Sequence, residues 1–143
     1  MEALLAALEQ STIGDAMRSW RWLYPIVNVA HIFGISLLFG AVVTLDLRYL
    51  GVWRSVDRDI LSRVLVPVAL AGFVLAVLAG ALLFTTDAQK YADMALFQVK
   101  LGLIAFAIAN TIWLAQKRAA AAALVSLVCW TGAIICGRFI GYL

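Results

Sequence analysis

Four long apolar segments dominate this sequence and restrict the folds that it can adopt. They cover about residues 23–45, 64–84, 96–115 and 119–137, and roughly 20 helical residues suffice to cross a ~30 Å hydrocarbon core. The interior of a bilayer holds no water to satisfy open backbone groups, so such segments predict helices. We therefore expect an all-α integral membrane four-helix bundle, with one membrane domain over residues 1–143.

The composition excludes an ordinary soluble domain. Of the 143 residues, 65% are hydrophobic and 13% are charged, whereas soluble proteins average about 25% charged residues. The net charge of +3 comes mostly from the short joints between the apolar segments. Charge in those positions predicts orientation in a lipid bilayer, which is the expected partner, rather than binding to nucleic acid.

Residues 1–22 predict a short amphipathic helix on the membrane surface. Leu4, Leu8 and Met17 fall at approximately helical spacing, and the acidic residues lie largely elsewhere on the helical wheel. The segment lacks the cationic start and continuous apolar centre of a cleavable signal peptide. Trp22 marks the interface where this helix turns into the bilayer.

The distribution of basic residues predicts an orientation. Six of them follow the first and third apolar segments, and four or five lie on the opposite face. Because cytoplasmic loops are enriched in Lys and Arg, both chain ends are expected outside the cytoplasm. The six are Arg48, Arg54, Arg58, Arg63, Lys117 and Arg118.

His31 is the only histidine, and it lies about 12 Å into the first apolar segment at 1.5 Å per residue. An ionisable group at that depth is costly and marks a functional site by default. Imidazole is also a common ligand of haem iron. Three interpretations stay open: a haem ligand, a proton relay, or a hydrogen bond across helices to Asn28, Asn110 or a tyrosine.

Further polar groups belong to the same half of the bundle as His31, because successive spans alternate in direction. Asn28 lies one turn away, Lys100 lies about 6 Å into the third segment, and Arg138 closes the fourth. Structural interpretations compete here too, since Lys100 could extend to the lipid headgroups and Arg138 could anchor the interface.

Glycines and other small residues predict where helices or a flat ligand approach closely. In the first segment, Gly34 and Gly40 leave space beside the helix face that carries His31. Ridges of small residues in the second and fourth segments permit contact within one chain or between copies; they are Gly72, Ala76, Gly80, Ala133, Gly137 and Gly141. At the end of the first segment, Asp46 and Arg48 predict a mutual ion pair or a cap.

Two motifs resemble the HemJ-type protoporphyrinogen oxidase family. AHIFGISLLFG surrounds His31 and FQVKLGLI surrounds Lys100, and LAGALLF in the second segment is similar as well. The resemblance implies a bacterial four-span protein that binds b-type haem, with His31 as ligand and Lys100 needed for activity. The further histidines of that family's third helix are missing here, so the resemblance implies haem binding more than porphyrinogen oxidation.

The whole chain is similar to an uncharacterised family of bacterial four-helix inner-membrane proteins. Its marks W-L-Y-P, H-x-x-G, D-L-R-x-L-G and G-R-x-I-x-Y recur at residues 22–25, 31–34, 46–51 and 137–142. A fainter similarity to CopD-like copper-resistance domains lacks the histidines and methionines that copper would need. Together these resemblances imply a multi-pass protein of the bacterial inner membrane, and the distribution of basic residues predicts that its termini are periplasmic.

The sequence thus predicts a haem b protein that transfers electrons or oxidises a lipophilic substrate. His31 is the expected metal ligand, Asn28, Lys100 and Arg138 are expected beside the cofactor, and Lys100 is the candidate catalytic residue. Two axial histidines would require a homodimer, since each chain offers one. The alternatives are a non-enzymatic accessory subunit of a larger membrane complex and a small-solute transporter.

Overall fold

The computed structural model describes residues 2–117 and 119–142, and it describes side chains except those of residues 114–117. Arg118, counted above among the basic residues, lies outside this part. The described residues form helices and no strands; the helices are α1 (Glu2–Glu9), α2 (Thr12–Ser19), α3 (Leu23–Tyr49), α4 (Arg58–Phe84), α5 (Ala88–Asp93), α6 (Ala95–Lys117) and α7 (Ala120–Ile140).

The predicted all-α four-helix bundle is confirmed. Four helices, α3, α4, α6 and α7, are long and apolar enough to cross a membrane. These helices make the chain a multi-pass membrane protein. Their order places the start of α3, the end of α4, the start of α6 and the end of α7 in one half of the bundle, which we call the His31 half.

Helices α3 and α4 extend furthest beyond the apolar segments that predicted them. Helix α3 continues to Tyr49, and α4 begins at Arg58 rather than at residue 64. Asp57 caps α4 by accepting hydrogen bonds from the backbone N–H groups of Asp59 and Ile60, both at 2.9 Å. A polar N-cap lets a helix begin outside the hydrocarbon. A prediction from apolar residues alone therefore misses this first turn.

The four spanning helices form two tight pairs. Helix α3 packs on α4, α6 packs on α7, and α3 joins the pairs through its contact with α7. In the described residues, α4 and α6 make no comparably extensive contact. At the centre, an apolar cluster brings three helices together; it consists of Leu38, Val42, Ala107, Cys129 and Trp130, and Phe73 of α4 packs against it.

The surface segment that precedes α3 forms two short helices. Ser11 ends the first and caps the second, because its hydroxyl accepts a hydrogen bond from the Gly14 backbone N–H at 3.1 Å. Helix α2 is attached to the bundle through Met17, which is 2% exposed and packs against Val27 and Ala79. In contrast, Leu4 of α1 is 72% exposed, as expected of an apolar side chain that faces lipid.

The joint between α3 and α4 is held by Arg48. Its Nε donates to the Val56 carbonyl at 2.6 Å, and its guanidinium also donates to the Arg54 carbonyl at 3.1 Å. In the described residues Arg48 and Asp46 do not form the predicted ion pair. The Arg48 guanidinium donates to the loop carbonyls instead.

Candidate functional site

His31 is joined to α4 by a hydrogen bond. Its Nδ1 lies 2.7 Å from the carbonyl oxygen of Ala76. A carbonyl oxygen only accepts, so Nδ1 carries a proton, and in the neutral imidazole Nε2 keeps its lone pair. Within the described residues, Nε2 has no hydrogen-bond partner. The ring is therefore oriented at one nitrogen and available at the other.

The close approach of α3 and α4 is what brings the Ala76 carbonyl within reach. A Cβ placed on Gly34 would lie 2.6 Å from the backbone nitrogen of Ala76, so the two helices touch through their backbones. One turn further along, a Cβ on Gly80 would lie 2.9 Å from Cε1 of His31. The imidazole thus occupies space that exists because residue 80 has no side chain.

These contacts show that the small-residue ridge of α4 packs within one chain. Gly72, Ala76 and Gly80 all face α3 of the same chain, so the ridge serves the internal pair. The expected space beside the histidine is wrong at Gly34, where α4 fills the gap. Space does remain at Gly40, where a Cβ would have no atom within 4 Å.

Lys100 lies in the His31 half, as its position in α6 predicts. Its ammonium reaches α7, where a Cβ on Gly137 would lie 3.3 Å from Nζ. The side chain is partly buried. Among the described residues, Nζ has no hydrogen-bond acceptor and no ion-pair partner. An ammonium group without an acceptor can donate hydrogen bonds to an anionic ligand or to a ligand's carbonyl oxygen.

The other two predicted site residues lie further out. Asn28 is partly buried one turn from His31 and makes no side-chain hydrogen bond within the described residues. Arg138 is exposed at the end of α7, where it donates to the Tyr142 hydroxyl and lies 4.5 Å from the centre of that ring. Arg138 is therefore placed at the rim rather than beside the histidine.

The hydrogen-bond partner expected for His31 is also corrected. Asn110 instead donates from Nδ2 to the Ala122 carbonyl at 2.8 Å, which joins α6 to α7 in the opposite half. The bond across helices does exist at His31, but its acceptor is a backbone carbonyl. The ridge pattern marks Ala76 as a contact position, but a pattern of side chains does not show that its backbone carbonyl is the acceptor.

An aromatic cluster closes the His31 half between α4, α5 and α6. The ring centres of Phe84 and Phe97 lie 5.4 Å apart, and Tyr91 lies 6.1 Å from Phe97. Phe97 precedes Lys100 by about one turn of α6, so the cluster and the lysine occupy neighbouring turns of that helix. The sequence does not single out Phe84 and Phe97, because a phenylalanine within an apolar segment carries no distinguishing signal.

The donor set restricts the kind of metal chemistry. The described residues contain no group of three or more His, Cys, Asp or Glu side chains that could hold a metal ion. A single imidazole suffices as an axial ligand to haem iron, because the porphyrin supplies the equatorial nitrogens. His31 thus fits a haem better than it fits a bare ion.

Comparisons of the chain with protein-family models, with curated proteins and with solved structures found no match. Its function is therefore argued from the site, since the bundle fold supports many activities.

Proposed function

We propose that this protein binds b-type haem in a bacterial inner membrane, with both termini periplasmic, and transfers electrons or oxidises a lipophilic substrate. The observation that carries the proposal is the hydrogen bond from Nδ1 of His31 to the Ala76 carbonyl at 2.7 Å. Metal-ligating histidines typically donate their second ring nitrogen to a carbonyl or carboxylate, which fixes the tautomer and raises ligand basicity. Nε2 is then the nitrogen that donates to iron.

Lys100 gives the proposal a second support. Its ammonium is partly buried, lies in the same half as His31 and has no acceptor among the described residues. A haem propionate is an acceptor of the required charge. Asn28 and the rim residue Arg138 are the further polar groups that would meet the cofactor's edge. Bound haem supplies one-electron chemistry, and these residues would bind and orient it.

The packing of the helices supports one position for a flat ligand. Helices α4 and α6 touch through Phe84 and Phe97 but make no extensive contact in the described residues. Gly80 of α4 lies beside the imidazole, and Lys100 of α6 lies in the same half. We place the haem on this side of the His31 half. A second histidine ligand would come from another copy of the chain, so axial ligation by two histidines requires a homodimer.

The second candidate is a non-enzymatic accessory subunit of a larger membrane complex. The observation that favours it is the fit of the His31 ring against Gly80, where a Cβ would come within 2.9 Å of Cε1. A ring so placed stabilises the α3–α4 pair even without a ligand. In that account the hydrogen bond to Ala76 is the histidine's whole role.

A haem titration of the purified protein, followed by the Soret band, separates the two candidates. His31→Gln retains an N–H donor for the Ala76 carbonyl but loses the imidazole nitrogen that ligates iron. If His31 is the ligand, the wild type binds haem and His31→Gln does not, although the variant unfolds at the wild-type temperature. If the histidine only joins helices, the wild type shows no specific band.

Two further variants serve as controls in the same titration. Asn110→Ala changes a polar residue of the opposite half and is expected to leave haem binding intact. Gly80→Ala pushes a methyl group against the imidazole and is expected to weaken haem binding. Equal haem binding by all variants would show that the Soret band arises from haem that partitions nonspecifically into the detergent.

A further inference from the structure

A second buried polar group lies in the half of the bundle opposite His31. Asp46, in the last turn of α3, is 2% exposed, and its Oδ2 has no hydrogen-bond partner in the described residues. Its carboxyl faces the hydroxyl of Ser126 on α7, which is 1% exposed. One turn along α7, the indole N–H of Trp130 is also buried without a partner. Two buried polar atoms without a partner therefore belong to α3 and to the neighbouring turn of α7.

No cation in the described residues compensates a charge on Asp46. On its own helix, Arg48 is held by the loop carbonyls. On α4, Arg58 lies 5.5 Å from the centre of the Tyr49 ring, and Asp59 and Arg63 are exposed.

Helix α7 adds no charge near Asp46. Its described residues carry one charged side chain, Arg138, at the far end. The side chains of residues 114–118, in the joint before α7, are outside the description. A carboxylate that is buried without a counter-charge or a full set of hydrogen bonds is costly. A neutral carboxylic acid avoids most of that cost and gains an O–H donor.

We propose that Asp46, Ser126 and Trp130 form an internal proton-binding site that also holds an ordered water molecule. Asp46 takes one proton from water and keeps it as the O–H of a neutral acid. The water accepts a hydrogen bond from the Trp130 N–H and hydrogen-bonds the free oxygen of Asp46. Buried water typically occupies such positions, where it satisfies polar groups that the protein leaves unpaired.

The chemistry of the three side chains favours a proton over a metal cation. Trp130 offers a donor and no acceptor, and it would point its N–H toward any bound cation. Ser126 and Asp46 alone supply too few oxygens for the six or more ligands that hard cations prefer. The site does not depend on haem binding, because it lies in the other half of the bundle.

Infrared spectroscopy of the full-length protein in lipid vesicles tests the site. At neutral pH we expect a carbonyl stretch of a protonated carboxylic acid, and Asp46→Asn should abolish it. Asp57→Asn, which changes the exposed N-cap of α4, is the matched control and should leave the band unchanged. Ser126→Ala removes a hydrogen-bonding neighbour and should shift the band without abolishing it, and transfer into D₂O should shift it as well.

The same measurement can overturn the proposal. An acid band that survives in Asp46→Asn would belong to another carboxyl group. A wild-type spectrum without an acid band at neutral pH would show that Asp46 is ionised. Asp46→Asn preserves the shape of the side chain, and a thermal unfolding curve like that of the wild type establishes that loss of the band reports the proton rather than the fold.

Discussion

Gly34 of α3 and Gly72 of α4 lie backbone against backbone. A Cβ on Gly34 would approach the Gly72 carbonyl oxygen to 2.8 Å, and a Cβ on Gly72 would approach the Gly34 carbonyl oxygen to 2.7 Å. Two glycines in mutual contact allow helices to pack this closely, as they do in transmembrane pairs generally. The position of His31 against α4 follows from this contact.

Gly72→Ala is expected to destabilise the bundle by about 1–3 kcal/mol, the usual cost of inserting atoms into a packed interior. The added methyl group would meet the backbone nitrogen of Leu38 at 2.6 Å, and backbone cannot move aside locally. Gly40→Ala is the matched control: its methyl group meets no atom within 4 Å, so stability should hold or rise by up to about 1 kcal/mol. Thermal unfolding in detergent compares the two, and equal effects would contradict the close contact.

Arg48→Ala is expected to loosen the joint between α3 and α4. Two carbonyls, those of Val56 and Arg54, lose a charged donor, and a hydrogen bond to a charged group contributes about 1.5–3 kcal/mol. Limited proteolysis should cut the joint faster in this variant than in Arg63→Ala, whose exposed side chain is the comparison. Equal cleavage rates would show that Arg48 does not hold the loop.

Met17→Ala should release α2 from the bundle. Met17 is 2% exposed and contacts Val27 and Ala79, and truncating a buried methionine to alanine typically costs about 2–5 kcal/mol. Ile13→Ala changes a residue of the same helix that is 54% exposed, so it should leave the attachment intact. Hydrogen exchange of the α2 amides measures the difference; matching exchange rates would argue against docking through Met17.

Asn110→Ala is expected to weaken the α6–α7 pair by about 0.6–2 kcal/mol, the range measured for hydrogen bonds between membrane helices. The lost bond runs from Nδ2 to the Ala122 carbonyl at 2.8 Å. Thr111→Val removes a hydroxyl that bonds within its own helix, to the Ala107 carbonyl at 2.8 Å, and should cost less. The two variants would unfold alike if Asn110 did not connect the helices.

The helices could be predicted from the sequence, and several of their ends could not. Apolar length marks the part of a helix that lies in hydrocarbon, so the starts of α3 and α6 were placed within a residue. The start of α4 was not, because Asp57 caps a polar first turn. The break between α1 and α2 depends on a local cap by Ser11. The amphipathic pattern continues through this residue and therefore does not reveal the break.

The candidate site could be predicted in part. Helix direction placed His31 and Lys100 in the same half, and both side chains are partly buried there. The partners that orient them are the Ala76 carbonyl and the bare surfaces at Gly80 and Gly137. None of these carries a polar side chain, so pattern reasoning identified the glycines as contact positions without saying what they contact.

The most direct test of the central claim is a reduced-minus-oxidised visible spectrum of protein purified from cells supplied with iron, with iron quantified per chain. The haem account predicts the absorption bands of a b-type cytochrome and an iron content that falls to background in His31→Gln. A colourless wild-type protein, or an iron content that is unchanged by that substitution, would contradict it.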